Sequence, residues 1–433
     1  MARLIIGHVT SNSVMIWVRG DKRHPFAFVQ VDPGNKVATL ALEERHGYTG
    51  AAEITGLNRD VDYMCEVEFG ATRNASPNLR IDYGHCRGKF RTAPADDANA
   101  PFKFLLGSCN LHSLGIFSSP DRAYEELLER SAANSARFMI HCGDQIYYDI
   151  PNFVKGPDIG EYRDKYLDAW GDSRPTRKFL TQIPHYMIMD DHEITNNFAN
   201  DMKTPNGVST PDVYRLISMK VYREFVHIRQ PNTFGNQALY YIFSYGNARF
   251  FVMDCRTERI GFTAGAERIV GDAQLAALKK WLVDHKTQLK FVVSSVPFVM
   301  NVKNDDDKWG ASSFRKQKDE VIDHLMKNQI GRLVFLTGDM HSSYHAKMTI
   351  DGAHEVHELM SSPINQISKS GRDQYLKPAI QETPAGHKYS SRLIKFFSEN
   401  SNAMLIDVDQ GVVSYKIFRT KRSRIVKSGA FTP

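Results

Sequence analysis

The sequence is poor in cysteine and carries none of the common cysteine motifs. Five cysteines are scattered over 433 residues, and no two of them form a C-x-x-C pair. This odd, unpatterned set excludes a dense disulfide framework. Scattered thiols of this kind are typical of proteins from a reducing compartment.

Long apolar runs and targeting segments are also missing. The longest apolar runs, such as 102–107, fall well short of the ~18 residues that a membrane span needs. The amino terminus, MARLIIGHVTS, lacks an apolar signal core, a small-residue cleavage site and a twin-arginine pair. We therefore expect no membrane span and a cytoplasmic location, or a periplasmic or secreted one if the chain is a trimmed mature form.

A strong charge of either sign is absent. Lys and Arg number 55 and Asp and Glu 49, which gives 55 − 49 = +6. Nucleic-acid-binding proteins show a stronger basic bias with interleaved aromatic residues, so we expect no such role. The basic residues that crowd the carboxyl-terminal stretch form either a solvated surface or an anion-steering patch. They are Lys416, Arg419, Lys421, Arg422, Arg424 and Lys427. The sequence does not define an oligomeric state.

Two regions of different pattern are present. Hydrophobic residues make up 42% and charged residues 24% of the chain, as in globular proteins. Residues 1–94 carry short strand-like runs separated by turn residues, which predicts a small all-β sandwich of the fibronectin or immunoglobulin type. The polar, proline-bounded segment PADDANAP at 94–101 predicts a domain boundary. Residues 101–433 alternate apolar runs with amphipathic helical segments and end in a hairpin and tail, which predicts an α/β domain.

Five predicted strands of the second region are each followed directly by polar residues able to bind metals or phosphate. Ligands of open α/β sheets bind beyond the carboxyl ends of the strands, so we expect these clusters to meet. One cluster alone would indicate a turn or a helix cap. Five such clusters in a confined site would leave several carboxylates unpaired, and their negative charges would repel one another. A two-metal centre would balance this charge. The clusters are Gly107-Ser108-Cys109-Asn110, Gly143-Asp144-Gln145-Ile146-Tyr147, Asp190-Asp191-His192-Glu193, Asp254-Cys255-Arg256 and Gly338-Asp339-Met340-His341.

In this order the clusters resemble those of the PhoD-like alkaline phosphatase/phosphodiesterase family, a branch of the calcineurin-like metallophosphoesterases. The amino-terminal GHVTSNSVMIWVR and GKFRTAP also resemble that family's β-sandwich domain, so the similarity covers nearly the whole chain. It implies a layered α-β-β-α metallophosphoesterase domain behind the sandwich. The best-known members are exported with a twin-arginine signal, which this sequence lacks. The matching segments are GSC at 107–109, GDQIYYD at 143–149, DDHEITNN at 190–197, DCRTER at 254–259 and GDMHSS at 338–343.

The resemblance implies a set of metal ligands in which Asp144 bridges two ions. A thiolate, a phenolate and an imidazole suit ferric iron, whereas carboxylate and amide oxygens suit calcium. Generic calcineurin-like enzymes have a histidine at the position of Asp339, so the aspartate favours an ion harder than zinc. Zinc, manganese and magnesium are the alternatives. The implied ligands are Cys109, Asp144, Tyr147, Asp191, Asn196, Asp339 and His341.

The resemblance also implies a reaction, in which a metal-activated hydroxide attacks the phosphorus of a phosphate ester. The residues expected to take part are Asp144, His192 and Arg256. Arg256 either clamps a phosphate oxygen or forms a salt bridge with Asp254 or Glu258. His192 either protonates the leaving group or orients a ligand.

Three functions compete. The first is hydrolysis of small phosphomonoesters and phosphodiesters. The second is a specialised phosphodiesterase acting on phospholipid, polymer or nucleotide, which the ligand set does not distinguish because the metals contact only phosphate. Loops at 148–171, 303–310 and 369–391 would decide between these two. The third is a non-enzymatic binding protein with the sandwich as its adhesive module, which an intact ligand set argues against.

Overall fold

In the computed structural model of the protein, most of the chain is described. The described residues are 3–76, 86–112, 120–150, 156–171, 173–203, 210–235, 237–303, 306–366, 370–422 and 424–433. Parts of the three loops expected to set the substrate, at 151–155, 304–305 and 367–369, lie outside these ranges.

The amino-terminal region consists of two antiparallel sheets packed on each other. Its strands are β1 (Leu4–Val9), β2 (Ser13–Arg19), β3 (Phe26–Asp32), β4 (Lys36–Ala41), β5 (Thr49–Thr55), β6 (Asp62–Gly70) and β7 (Arg87–Arg91). The sheet orders are β1-β2-β5 and β4-β3-β6-β7. Apolar side chains from both sheets, among them Val14 and Val67, form one core. The sequence patterns did not predict β4 and β5, because β4 buries no residue fully and β5 is rich in Gly and Ala, which have low strand propensity.

The second region contains two larger sheets and six helices in the described residues. Its helices are α1 (Pro120–Ala133), α2 (Ile159–Gly171), α3 (Arg174–Leu180), α4 (Pro211–Phe225), α5 (Asp272–Asp284) and α6 (Arg315–Asn328). Its strands are β8 (Phe102–Gly107), β9 (Met139–Cys142), β10 (His185–Ile188), β11 (Tyr241–Tyr245), β12 (Ala248–Val252), β13 (Lys290–Val293), β14 (Leu333–Thr337), β15 (Ser343–Ile350), β16 (His354–Met360), β17 (Gln381–Glu382), β18 (Lys388–Phe397), β19 (Asn402–Asp409), β20 (Val412–Arg419) and β21 (Ile425–Phe431). The sheet orders are β10-β9-β8-β19-β20-β21 and β11-β12-β13-β14-β16-β15-β18-β17.

The two sheets pack face to face with helices outside them. Strand periodicity places Phe104 and Phe250 in the core between the sheets. Their neighbours point outward, Leu105 against α1 and α3 and Phe251 against α5 and α6. The predicted α-β-β-α layering behind an all-β sandwich is thus confirmed.

The predicted carboxyl-terminal hairpin forms as β19 and β20, but its place in the fold was not foreseen. β19 pairs antiparallel with β8 in the centre of its sheet, and β21 extends the sheet beyond β20. The chain's end therefore belongs to the core of the second region.

The amino-terminal sheets pack against the second region through specific contacts. The Trp17 indole donates a hydrogen bond of 2.8 Å to the Glu224 carbonyl of α4. His8 Nδ1 lies 3.1 Å from the Tyr186 hydroxyl of β10. The division into domains at 1–94 and 101–433 stays a prediction. Within the described residues, no helix combines the length and apolarity required to cross a membrane.

Candidate metal centre

Four of the predicted ligands meet in one buried cluster. The Cys109 thiol and the Tyr147 hydroxyl each donate to Asp144 Oδ2, over 3.3 Å in both cases. The Tyr147 oxygen also lies 3.4 Å from His341 Nε2. The loops that follow β8, β9 and β14 therefore bring a thiol, a phenol, a carboxylate and an imidazole together. The family resemblance assigns Cys109, Tyr147 and His341 to one ion and Asp144 to both.

The backbone at this cluster is held in an uncommon conformation. Cys109, Asp144, Asp339 and His341 have φ values of 59°, 54°, 72° and 46°. The left-handed region costs a non-glycine residue of order 1–3 kcal/mol and is concentrated at functional sites. Four such residues in one cluster indicate that the surrounding structure holds the side chains in place at the expense of local stability.

Glycine at position 143 allows the loops after β9 and β10 to approach each other. Gly143 has φ of 90°, and a Cβ added there would lie 2.4 Å from the Cβ of Asp190. A side chain at 143 would therefore separate two of the polar clusters.

Glu193 ties the same two loops together. Its carboxylate accepts hydrogen bonds from the backbone amides of Asp144, Gln145 and Asp190, at 3.1, 2.5 and 2.8 Å. Burial raises the pKa of Glu193 to about 8, against the effect of these amides. Glu193 belongs to the DDHE cluster at 190–193, but the sequence alone did not predict that it joins the two loops.

A second group of carboxylates lies next to the cluster and fits a metal ion. Ligand atoms of Asp144, Asp191 and His192 lie within 4.8 Å of one another, as do those of Asp190, Asp191 and Asp339. Among the described residues, Asp144 Oδ1, Asp190 Oδ2 and Asp191 Oδ1 are buried without a hydrogen-bond partner. Buried carboxylate oxygens in this state are costly unless a cation binds them. The residues present therefore fit the two-metal expectation.

The pKa shifts of the first cluster of predicted ligands also bear on metal binding. Burial, reinforced by nearby carboxylates, raises the pKa of Cys109 well above its ordinary value. Burial likewise raises the pKa values of Tyr147 and Asp144 and lowers the pKa of His341 to about 4. A bound cation supplies the positive charge that lets such groups act as thiolate and phenolate ligands.

Asn196 differs from the other predicted ligands in being exposed rather than buried or half-buried. Its described contact is a backbone hydrogen bond of 2.8 Å to Asp149. The neighbouring Asn197 amide donates to Asp191 Oδ2 over 2.6 Å. A ligand role for Asn196 stays a prediction.

His192 pairs with an aspartate that the sequence did not single out. His192 Nδ1 lies 2.8 Å from Asp149 Oδ1, and its ring lies against Tyr147 with 4.2 Å between centroids. Burial lowers the pKa of His192, but Asp191, Asp144 and Asp149 outweigh it and raise the pKa to about 11. Asp149 closes the GDQIYYD motif, five residues after Asp144, so its position in the motif was the available signal.

Arg256 is placed differently from the expected phosphate clamp. Its buried guanidinium donates to Asp190 over 2.5 Å and to both carboxylate oxygens of Asp307 over 2.7 and 2.8 Å. The guanidinium also lies 3.7 Å from Asp191 Oδ1. The carboxylates that it pairs with are therefore neither Asp254 nor Glu258, the two that the salt-bridge alternative named. This geometry favours a role in holding Asp190 in place over a direct contact with phosphate.

Lys308 is a further charged residue of the site that sequence patterns missed. Its ammonium lies 2.6 Å from Asp339 Oδ2 and 2.8 Å from Asp307 Oδ2, and its side chain is 6% exposed. It stands in a loop without a recognisable motif, so no signal in the sequence pointed to it.

The fold of the chain superposes on solved structures of two other proteins. A solved structure of PhoD superposes with a TM-score of 0.75 at 19% identity, covering 100% of this chain and 88% of that one. A purple acid phosphatase from yellow lupin (Lupinus luteus) seeds superposes with a TM-score of 0.65 at 10% identity, covering 99% and 74%.

The sequence comparison is more specific. Residues 104–417 match the profile of the PhoD-like phosphatase family, and the chain belongs to that family. Alkaline phosphatase D of Bacillus subtilis (strain 168) is 25% identical over 351 residues, which are 68% of this chain and 57% of that protein. The chain thus spans less than two thirds of the length of this curated relative.

Proposed function

We propose that the protein is a metal-dependent phosphoric ester hydrolase, an alkaline phosphatase or phosphodiesterase of the PhoD type. The observation that carries the proposal is the meeting of four side chains. Cys109 and Tyr147 each lie 3.3 Å from Asp144 Oδ2, and His341 Nε2 lies 3.4 Å from the Tyr147 hydroxyl. Buried carboxylate oxygens without partners lie beside them. This donor set suits two cations and the phosphate oxygens that such cations bind.

For the metals, we propose ferric iron and calcium. Cys109, Tyr147 and His341 would hold the iron, and the carboxylates of Asp191 and Asp339, with Asn196, would hold the calcium. Asp144 would contact both. Zinc, manganese and magnesium are the alternatives. Bound ions would supply Lewis acidity toward phosphate and a nucleophilic water at neutral pH.

The chain's own residues would provide proton transfer and orientation. Asp149 occupies Nδ1 of His192, which leaves Nε2 as the nitrogen that gives a proton to the departing alkoxide. The Glu193 carboxylate, which accepts hydrogen bonds from the backbone amides of Asp144 and Asp190, would hold these two residues in fixed relative positions. Arg256, which pairs with Asp190 and lies 3.7 Å from Asp191 Oδ1, would balance part of the negative charge beside the ions.

The substrate proposed is a phosphate monoester or diester, with a lipid, polymer or nucleotide diester as the alternative. Residues 1–94 would serve as a structural or docking domain. All five cysteines are buried, which agrees with the proposed location in the reducing cytoplasm. Fractionation of host cells would test this, and recovery in the periplasm or medium would contradict it.

The direct test is metal analysis of the purified protein alongside a screen of aryl and alkyl phosphate monoesters and diesters. We expect bound metal in a stoichiometry above one, and turnover that chelation abolishes and calcium restores better than zinc. Turnover that survives removal of all metal would contradict the proposal. A metal-loaded protein without turnover on any ester would favour the binding-protein alternative.

A further inference from the structure

Arg256, the cationic residue that the sequence offered for phosphate, is engaged in buried ion pairs. Its guanidinium donates to Asp190 and Asp307 and lies 3.7 Å from Asp191 Oδ1, so turning it toward a substrate would leave buried carboxylates without their partner. Such unpairing is strongly destabilising. A second cationic side chain near the metal ligands is therefore better placed to contact a phosphate oxygen.

Lys308 lies between the ion pairs of Arg256 and the predicted metal ligands. Asp307, one of its partners, already pairs bidentately with Arg256 and also accepts from Arg259. Asp307 therefore has two guanidinium partners besides Lys308. A further partner of Lys308, at 2.6 Å, is Asp339 Oδ2, an atom of a predicted metal ligand.

The ammonium of Lys308 lies beside the predicted metal ligands. Its Nζ is 2.6 Å from Asp339 Oδ2, and ligand atoms of Asp339, Asp190 and Asp191 lie within 4.8 Å of one another. His341 follows Asp339 by two residues in the chain. A phosphate that contacts ions held by these ligands would therefore lie within reach of the ammonium.

We propose that Lys308 is a substrate-binding residue, whose ammonium donates a hydrogen bond to a non-bridging oxygen of the phosphate held at the metal centre. The inference rests on the proposed function. When Asp339 binds an ion, its carboxylate is neutralised by that ion. The ammonium, which carries three donors, then exchanges part of its bond to Asp339 for the phosphate. Lysine binds phosphate as a point charge in this way.

Binding of inorganic phosphate, measured by calorimetry on metal-loaded protein of known metal content, tests the proposal. Lys308→Met should weaken phosphate binding by about 10- to 100-fold, the value of a hydrogen bond to a charged group. Its metal content should stay at the wild-type level, because the substitution removes a competing cation from Asp339. Lys308→Gln, which keeps an N–H donor on a side chain one atom shorter but removes the charge, should behave like the Met variant. Lys303→Met, an exposed lysine of the same loop, is the matched control and should bind phosphate like the wild type.

Wild-type phosphate affinity in a metal-loaded Lys308→Met or Lys308→Gln protein would overturn the proposal. So would loss of metal from both variants, which would make Lys308 a support of the centre. If the Met and Gln variants do not fold, Lys308→Arg, which keeps the charge, decides: failure to fold there too would show a structural role. Phosphate binding by the wild-type protein distinguishes a failure of the Lys308 proposal from a failure of the proposed function. Absence of metal-dependent phosphate binding in the wild type would contradict the function, whereas equal binding in wild type and variant contradicts only the role of Lys308.

Discussion

His192 and Asp149 form a half-buried hydrogen-bonded pair, with Nδ1 of the imidazole 2.8 Å from one carboxylate oxygen and 3.0 Å from the other. Asp149 also accepts the backbone amide of Asn196 over 2.8 Å. The carboxylate therefore fixes the ring orientation of His192 and joins it to the loop that follows Asp191. This pair offers a way to decide between an acid and an orienting role for His192.

We expect His192→Asn to lower kcat for an alkyl phosphate by about 10²- to 10⁴-fold, the usual contribution of a general acid. The loss should be much smaller for p-nitrophenyl phosphate, because nitrophenolate departs without a proton. Asp149→Asn should show the same dependence on the leaving group with a smaller loss. Steady-state kinetics on both esters are the measurement. Equal losses on both would assign His192 an orienting role.

Cys109→Ser tests the iron group. A thiolate or phenolate on ferric iron absorbs visible light, so the wild-type holoprotein should be coloured. The substitution should shift or bleach that band and remove most activity while circular dichroism shows an intact fold. Cys142→Ser, another buried cysteine, serves as control and should keep the band. A colourless and fully active wild type containing two zinc ions would contradict the iron–calcium assignment but not ester hydrolysis.

Glu193→Gln should loosen the centre without contacting an ion. The amide nitrogen of glutamine would face backbone N–H groups that now donate to a carboxylate, so one acceptor is lost. We expect metal affinity to fall by about 10- to 100-fold, as for other outer partners of metal ligands. Titration with a metal-buffered series measures this. Wild-type metal affinity in the variant would show that the loops hold their ligands without Glu193.

Arg256→Met tests whether Arg256 serves as an ion-pair partner of buried carboxylates rather than as a phosphate clamp. Removing the guanidinium leaves Asp190 buried with an unbalanced charge, which should lower stability by about 3–5 kcal/mol. Urea unfolding measures the loss, with the partly exposed Arg268→Met as control. A variant of wild-type stability with a raised KM would instead restore the phosphate-clamp interpretation.

Asp307→Asn should change the response of stability to acid. Burial raises the pKa of Asp307, but Arg256, Arg259 and Lys308 outweigh it and hold the pKa well below its ordinary range. A lowered carboxylate pKa stabilises the fold above the unfolded-state value, about 3.9, and this stability is lost as the pH falls toward the folded-state value. The stability difference between wild type and variant should therefore be largest near pH 7 and shrink below about pH 4. A difference that is constant with pH would contradict the ion-pair account.

The sequence predicted those parts of the site that lie directly after strands. Cys109, Asp144 and His341 each follow an apolar run, and parallel strands carry them to one end of the two sheets. The α-β-β-α layering was implied by the family resemblance, and the structure shows its local basis, because Phe104 and Leu105 alternate between two cores.

The rest depended on contacts between segments far apart in the chain. Asp307 lies 51 residues from Arg256, and only the packed structure shows that they pair. Strands β15 and β18 mix polar and apolar residues, so their pattern did not stand out. The central position of β19 depends on pairing with β8, almost 300 residues earlier, and no local signal encodes it.

The most direct test of the account is Asp144→Asn, measured as metal content and phosphate ester hydrolysis in the same preparation. Asp144 Oδ2 accepts from both Cys109 and Tyr147, and its Oδ1 is buried without a described partner. The account predicts that the folded variant loses bound metal and nearly all metal-dependent hydrolysis, more severely than Cys109→Ser, because one change disturbs both ions. Full hydrolytic activity in folded Asp144→Asn would contradict the metal centre as the place of reaction.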